Sequence, residues 1–175
     1  MPIRAAVYSD LPAILEIYNE SVQNSTASYD LEPRDMAAQL RWFENHRAGA
    51  YPIIVAIHWR KVVGWASLSP FHSRPGYGHT VEDSIYVASR NRGKGYGSSL
   101  LNALLQEANT KYHVVMALID GDNKASIHIH EKAGFKNVGV MREVGRKFDR
   151  WLDVVIMRRP AHPEIPGVEA VKTNP

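Results

Sequence analysis

The chain reads as a mixed α/β protein, one central sheet with helices packed on its faces. Two observations carry that reading. β-rich runs and amphipathic helical stretches follow one another in the order ββ, βα, βα, ββ, a pattern that returns helices across a sheet. Between one predicted strand and the helix behind it lies Arg92-Gly-Lys-Gly-Tyr-Gly-Ser-Ser99, three alternate glycines at a strand-to-helix junction. The 175 residues, 45% hydrophobic and 22% charged, suffice for one well-buried core and not comfortably for two. A single domain is therefore expected over residues 1–159, with an extended or disordered tail over 160–175, where Pro163, Pro166 and Pro175 interrupt any pattern.

Ile3 to Val7 reads as a first strand. Ser9 or Asp10 caps the helix that follows, with Leu11, Ile14, Leu15, Tyr18 and Val22 on its inward face. Polar residues 24–30 form a loop, and Pro33 opens a second helix that directs Met36, Leu40 and Phe43 inward and ends at Gly49. Pro52 to Ile57 and Val62 to Leu68 form a hairpin-like pair through His58-Trp-Arg-Lys61, and Ser69 to Gly78 is a Pro- and Gly-containing loop of a length that often carries function. His79 to Val87 is the next strand. The helix behind the glycines buries Leu100, Leu101, Leu104, Leu105 and Ala108, a stripe that core packing explains. Val114 to Ile119 is a buried strand, Gly121-Asp-Asn123 turns the chain, and a helix from Lys124 to Ala133 stops at Gly134. Phe135 to Met141 and Trp151 to Met157 supply the last two strands.

Composition excludes several classes of protein. Apolar runs such as Val114 to Ile119 are strand length, far short of a bilayer span, so no membrane is expected. The N-terminus lacks a basic segment followed by an apolar core, which leaves the cytoplasm as the default location. Without cysteine there is no disulfide, thiolate metal site or cysteine nucleophile. His128 and His130 stand two residues apart and point to different sides of a helix, so they do not pair on a metal. A net charge of +3 and a pI near 9.2 raise nucleic acid as a partner, yet the basic residues are spread among acids and no nucleic-acid module is present. The clusters at Arg90 to Lys94 and Arg142 to Arg150 suit a small polyanion at least as well as a duplex.

Glycines at 93, 95 and 97 let backbone N–H groups approach an anion, and the helix N-terminus behind them adds unpaired donors and a positive dipole end. A Walker loop would need glycine at position 88 and a hydroxyl after the lysine, where the chain has Ala88 and Gly95; a dinucleotide fingerprint would need its last glycine at Ser98. What remains, Arg92-x-x-Gly95-x-Gly97, resembles the acetyl-CoA loop of the GNAT superfamily of N-acetyltransferases, with a ligand-free glycine turn as the alternative. Asn123-Lys-Ala-Ser-Ile-His-Ile-His-Glu-Lys-Ala-Gly-Phe135 resembles the GNAT segment in which an asparagine precedes a helix ending in Gly-Phe. Tyr51 to Ala56, Thr80 to Val87 and Lys147 to Asp153 are similar to the phosphinothricin and methionine sulfoximine N-acetyltransferase branch, and the likeness covers roughly residues 3 to 157.

The resemblance implies a GNAT-like, mostly antiparallel sheet flanked by helices on both faces, a homodimer, no metal, and acetyl-CoA as co-substrate. The acetyl group would pass directly to the α-amine of a small amino acid analogue. Ile85, Tyr86 and Val87 would pair with the pantetheine arm, Arg92, Gly93, Lys94, Gly95, Tyr96, Gly97 and Ser98 would hold the pyrophosphate, and Asn123 and Lys132 would meet CoA from the next helix, although Lys132 fits a plain surface lysine equally.

Acetyl transfer needs a neutral amine, so a carboxylate at the end of the strand before the loop is a sensible proton acceptor. Glu82 matches the branch's proposed base; a salt bridge at the sheet rim is the alternative. Strand alternation puts Thr80, Glu82, Ser84 and Tyr86 on one face and Val81, Asp83, Ile85 and Val87 on the other. His130 stands where many GNAT enzymes carry a tyrosine that protonates the departing thiolate. A thiol pKa of about 8.5 means that step need not limit the rate, and a capping or packing histidine fits as well. His72, Ser73 and Arg74, beside Glu82, Asp83 and Ser84, are expected to hold the acceptor, with Arg74 as a bidentate carboxylate clamp or, alternatively, an exposed surface arginine. Two other functions stay open. A protein or peptide α-amine would call for a different pocket from the closed, cation-bearing cavity of an amino-acid site, and a non-catalytic acyl-CoA-binding module would fail a turnover assay.

Overall fold

The computed structural model describes residues 2–109 and 111–161. Seven strands form one sheet in the order β1-β2-β3-β4-β5-β7-β6: β1 is Ile3–Ala5, β2 Ile53–His58, β3 Lys61–Pro70, β4 Thr80–Val87, β5 Val114–Asp120, β6 Lys136–Lys147 and β7 Arg150–Pro160. Every neighbouring pair is antiparallel except β4 with β5. Helices α1 (Leu11–Asn24) and α2 (Met36–Ala48) cover one face, where Ile14, Val22 and Phe43 pack on Val55 and Trp65. On the other face lie α3 (Tyr96–Ala108) and α4 (Lys124–Lys132); Leu100, Leu101 and Leu104 of α3 pack on Leu68, Val81 and Val115. This is the mixed, mostly antiparallel sheet with helices on both faces that the sequence predicts. No helix among the described residues is long and apolar enough to cross a membrane.

Several elements differ from expectation for local reasons. β1 stops at Ala5 because the Val7 N–H turns to the Asp10 carboxylate at 2.9 Å, and that same carboxylate holds Arg4 at 2.6 Å. On α1 the buried face runs through Ile17 rather than Leu15. α2 starts after Asp35, whose side chain caps Ala38 N–H at 2.7 Å, and not at Pro33. Its buried face is Gln39, Phe43 and His46, which rotates Met36 (44% exposed) and Leu40 (41%) toward solvent, contrary to the inward positions expected of them. β2 and β3 join through Trp59 and Arg60, both at positive φ, the signature of a two-residue hairpin turn.

The last two strands are longer than their apolar cores suggest. β6 and β7 run to a second two-residue turn, Phe148 and Asp149 at φ 51° and 56°, absorbing the charged stretch 142–150 into the hairpin. A bulge at residues 142–144 sits opposite Asp153, which accepts from both Arg142 and the Glu143 N–H at 2.9 Å. Trp151, the expected first residue of the last strand, is 62% exposed. At the C-terminal end, β7 takes in Pro160 and the Ala161 N–H donates to the His113 carbonyl at 2.9 Å, so the tail expected from residue 160 does not start there; its residues 162–175 lie outside the described residues.

Candidate active site

Parallel pairing of β4 with β5 covers Thr80–Val114, Val81–Val115 and Glu82–Met116 and then ends. Beyond Glu82 the two strands part while β4 stays in register with β3 as far as Val87. Ala88 N–H donates to Val63 and Phe71 N–H to the Thr80 carbonyl, so even-numbered residues of β4 turn their backbone groups to β3 and odd-numbered ones to the gap. Ile85 and Val87 therefore present backbone groups that no strand pairs there, and the Val87 carbonyl accepts from Arg92 Nε at 3.1 Å.

A cleft of about 540 Å³ opens from this gap and is lined by Ile85, Tyr86, Val87, Arg92, Gly93, Gly95, Tyr96, Gly97, Ser98 and Asn123, ten of the residues that the motifs single out for cofactor. Gly93 and Gly95 have φ of +74° and +84°, values that L side chains rarely adopt, and a Cβ on either would project into open space. Gly95 is the cap of α3 and brings no side chain to satisfy the first N–H groups of that helix, which leaves them to an anion. Lys94 and Lys132 do not line the cleft; Lys94 Nζ donates instead to the Arg90 carbonyl at 3.1 Å. Asn91 was not foreseen. It is buried at the edge of the cleft, and its enclosed Oδ1 lacks a partner among the described residues.

A second cavity of about 290 Å³ adjoins the first and shares Thr26, Ala27, Ile85, Tyr86, Asp120, Asn123 and Ser126 with it. Glu82, Asp83, Ser84 and His130 line this one. The alternation expected for β4 holds: Val81, Ile85 and Val87 pack on the α3 and α4 side, Tyr86 on the α1 side. Asp83 points with the former group and meets His130 of α4 at 2.9 Å, each side chain 3% exposed. The other ring nitrogen, Nδ1, donates to the Ser126 carbonyl at 2.7 Å, so His130 is held at both ends. Burial alone would depress this imidazole, but the Asp83 hydrogen bond and charge, with the Ser126 carbonyl, outweigh it and raise its pKa. The pair is thus a buried hydrogen-bonded contact that fixes both side chains.

His72, Ser73 and Arg74 are not brought into either cavity. They are exposed in the loop before β4, where Arg74 N–H donates to His72 Nδ1 at 3.1 Å and the His72 ring packs on Tyr77. The far wall comes instead from the α1–α2 loop: Thr26, Ala27, Ser28 and Tyr29. Sequence reasoning treated that segment only as a polar loop, and its one signal was a tyrosine in an otherwise polar connection. Among the described residues no group of three or more His, Asp or Glu gathers to hold a metal ion.

A cleft with backbone donors for an anion at one end, adjoining a cavity that holds a carboxyl group unpaired among the described residues, suits a transferase whose donor substrate is a phosphate-bearing carrier. The chain belongs to the acetyltransferase (GNAT) family, whose model matches residues 11–135. The L-methionine sulfoximine/L-methionine sulfone acetyltransferase of Pseudomonas aeruginosa is 43% identical over 158 residues, 89% of this chain and 92% of that protein. A crystal structure of a ribosomal-protein-alanine N-acetyltransferase from Brucella melitensis is 42% identical with a TM-score of 0.90, covering 91% of this chain and 99% of its own. The phosphinothricin acetyltransferase from Sinorhizobium meliloti, solved in complex with AcCoA, is 39% identical with a TM-score of 0.90, covering 92% and 88%.

Burial, and then the neighbouring Asp83 charge, push the Glu82 carboxyl up to about 7. A carboxyl raised in the folded state binds more protons there than in the unfolded chain between its ordinary value of 4.5 and about 7, so stability falls as pH rises through that window. Glu82→Gln removes the penalty. Urea denaturation is expected to find the variant more stable than the parent at pH 8, with the difference shrinking toward pH 4; a difference independent of pH would show that Glu82 titrates as an ordinary exposed carboxylate.

Proposed function

We propose that the protein transfers the acetyl group of acetyl-CoA directly to the α-amine of a small amino acid analogue of the methionine sulfoximine, methionine sulfone or phosphinothricin type. The observation that carries this reading is the meeting of the two cavities at Ile85, Tyr86, Asn123 and Ser126, with the glycine-capped helix in one and Glu82 in the other. The residues present fit a CoA thioester. An amide-bearing arm finds the unpaired edge of β4, and a pyrophosphate finds the N-terminus of α3 with Arg92 beside it. The acceptor class is supported by the substrates named for the P. aeruginosa and S. meliloti relatives.

Acetyl-CoA, when bound, supplies an activated acetyl group. The chain does the rest. Glu82, ionised above about pH 7, takes a proton from the acceptor's ammonium, directly or through water, and leaves a neutral amine to form the new C–N bond as the C–S bond breaks. Backbone N–H groups on the open edge of β4 stabilise the carbonyl oxygen as it gains charge. His130 can protonate the departing sulfur only by releasing its bond to Asp83; a thiol pKa of about 8.5 allows the sulfur to leave without that help. No covalent enzyme intermediate is required. Replacing the base, Glu82→Gln, is expected to lower turnover on the order of 10²- to 10⁴-fold with little change in acetyl-CoA affinity by calorimetry, and normal turnover would leave Glu82 without a catalytic role.

A protein or peptide α-amine is the second reading. It is favoured by the B. melitensis relative and by the lining of the acceptor cavity, which among the described residues contains no lysine or arginine. For a free amino acid we propose Arg74 as the carboxylate clamp although it stands outside the cavity lining, in the exposed loop that leads directly into β4. Thiol release in a screen of amino acid analogues, their methyl esters and an alanine-terminated peptide separates the two. Strong preference for the free acid, lost in Arg74→Ala, is the expected result; equal rates on acid and ester, or a preference for the peptide, select the second reading.

We also propose a homodimer working in the cytoplasm, where acetyl-CoA is at hand. Val138, Val140 and Val144 of β6, Phe148 in the turn and Trp151 of β7 are all exposed, a density of apolar side chains that suits a protein contact. Light scattering at micromolar concentration is expected to return twice the 19.7 kDa of one chain, and a mass of one chain would remove the dimer.

A further inference from the structure

The α1–α2 loop that walls the acceptor cavity is held from two directions. Thr26 and Ala27, which line both cavities, are tied by the Asp120 carboxylate and by the Tyr86 hydroxyl, the latter donating to the Ala27 carbonyl at 3.4 Å. Ser28 and Tyr29 line the acceptor cavity alone, and they are tied to the β6–β7 hairpin, 119 residues further along the chain in the case of Ser28. Lys147, the last residue of β6, is 5% exposed and its Nζ donates to the Ser28 carbonyl at 2.6 Å. Two weaker contacts come from the same hairpin. The Tyr29 hydroxyl donates to the Asp153 carbonyl at 3.3 Å, and the Tyr29 ring lies so close to Gly145 that a Cβ there would overlap it.

A buried ammonium is a costly way to fill this space. None of the ion pairs among the described residues includes Lys147, and burial lowers its pKa against the distant pull of Asp30. A methionine would fill a similar volume without that cost, so what lysine adds is a donor. Its target is the remaining acceptor of Ser28, whose hydroxyl already bonds Tyr18 at 3.0 Å and Asp30 N–H at 3.2 Å. We propose that Lys147 is a positioning residue that latches Ser28 and Tyr29 against the acceptor cavity and so sets acceptor recognition, while the cofactor cleft is held independently of it. The effect on the acceptor rests on the reading of this cavity as the acceptor site; the latch itself does not.

The test is Lys147→Met, read in two ways. Hydrogen exchange of the protein alone is expected to accelerate at Ser28 to Asp30 and to stay unchanged along α3. In turnover, kcat/KM for the acceptor is expected to fall roughly 10- to 100-fold while the calorimetric affinity for acetyl-CoA holds, as a misplaced wall predicts. A merely structural role would weaken both substrates together and speed exchange across the sheet, and that result, or unchanged exchange at Ser28 to Asp30, overturns the proposal. Should Lys147→Met not fold, Tyr29→Ala disturbs the same wall from the loop side and is expected to give the same acceptor-only loss; an acceptor kcat/KM that it leaves untouched counts against the latch. If the parent acetylates no free amino acid, the exchange arm still decides, because it uses no acceptor.

Discussion

The site depends on a pairing that stops. β4 and β5 are joined by three residue pairs, and past Glu82 and Met116 the ladder ends although both strands continue. Unpaired backbone groups inside a sheet are expensive unless something meets them. Here Arg92 satisfies the Val87 carbonyl, and the gap leaves the others to solvent or to a ligand that can lie alongside as an added strand. The same divergence opens the sheet between its two helical layers. That is why Glu82 and Asp83, on opposite faces of β4, border one cavity.

Adjacent carboxylates on opposite faces have opposite fates. Asp83 is fixed by its buried hydrogen bond to His130, so it holds α4 against β4 and raises the pKa of Glu82 beside it. Glu82 has no such partner, and burial drives its pKa toward neutrality. Pushing the pKa values of neighbouring acids apart is a general way of dividing roles between them. The His130–Asp83 contribution to stability has the same sign as that of Glu82: it is complete below the ordinary histidine value of 6.5 and fades as pH climbs through the raised one. Acidification therefore leaves the scaffold of the site intact while it protonates the group that the proposed reaction needs ionised.

Local signals carried most of the fold. Periodicity located all four helices and the core stripe of α3, and the glycine spacing located the cleft, because those features are written within a few turns of chain. The failures have a common physical origin. Met36 and Leu40 were expected inward because apolar residues at helical spacing define a face, but α2 buries Gln39 and His46 instead, and His46 does so by bonding the Trp42 carbonyl and the Ser69 hydroxyl, a partner on β3. β6 is exposed at most positions, so it offers no alternation to read, and its charged end lies beyond the strand expected to stop at Met141. The wall at Ser28 and Tyr29 is defined by Lys147, Gly145 and Asp153, contacts that no window of the sequence contains.

The two halves of the site are thus encoded differently. The half proposed for the donor takes its glycines and its helix end from one stretch, Ile85 to Ser98, with the α1–α2 loop and the start of α4 as the remaining walls, and its requirements are backbone conformation and an open helix end. The acceptor half is assembled from the α1–α2 loop, the middle of β4, the end of β5, α4 and β7, and the β6–β7 hairpin fixes part of it from outside. Substitutions in any one of those segments can reshape the acceptor cavity and leave the donor cleft unaltered. Relatives named for a free amino acid derivative and for a ribosomal-protein alanine stand at 43% and 42% identity to this chain, so the overall likeness does not rank the acceptors. On the proposed reading, the discriminating information sits in the few side chains that line the cavity of Glu82, and in the hairpin contacts to Ser28 and Tyr29.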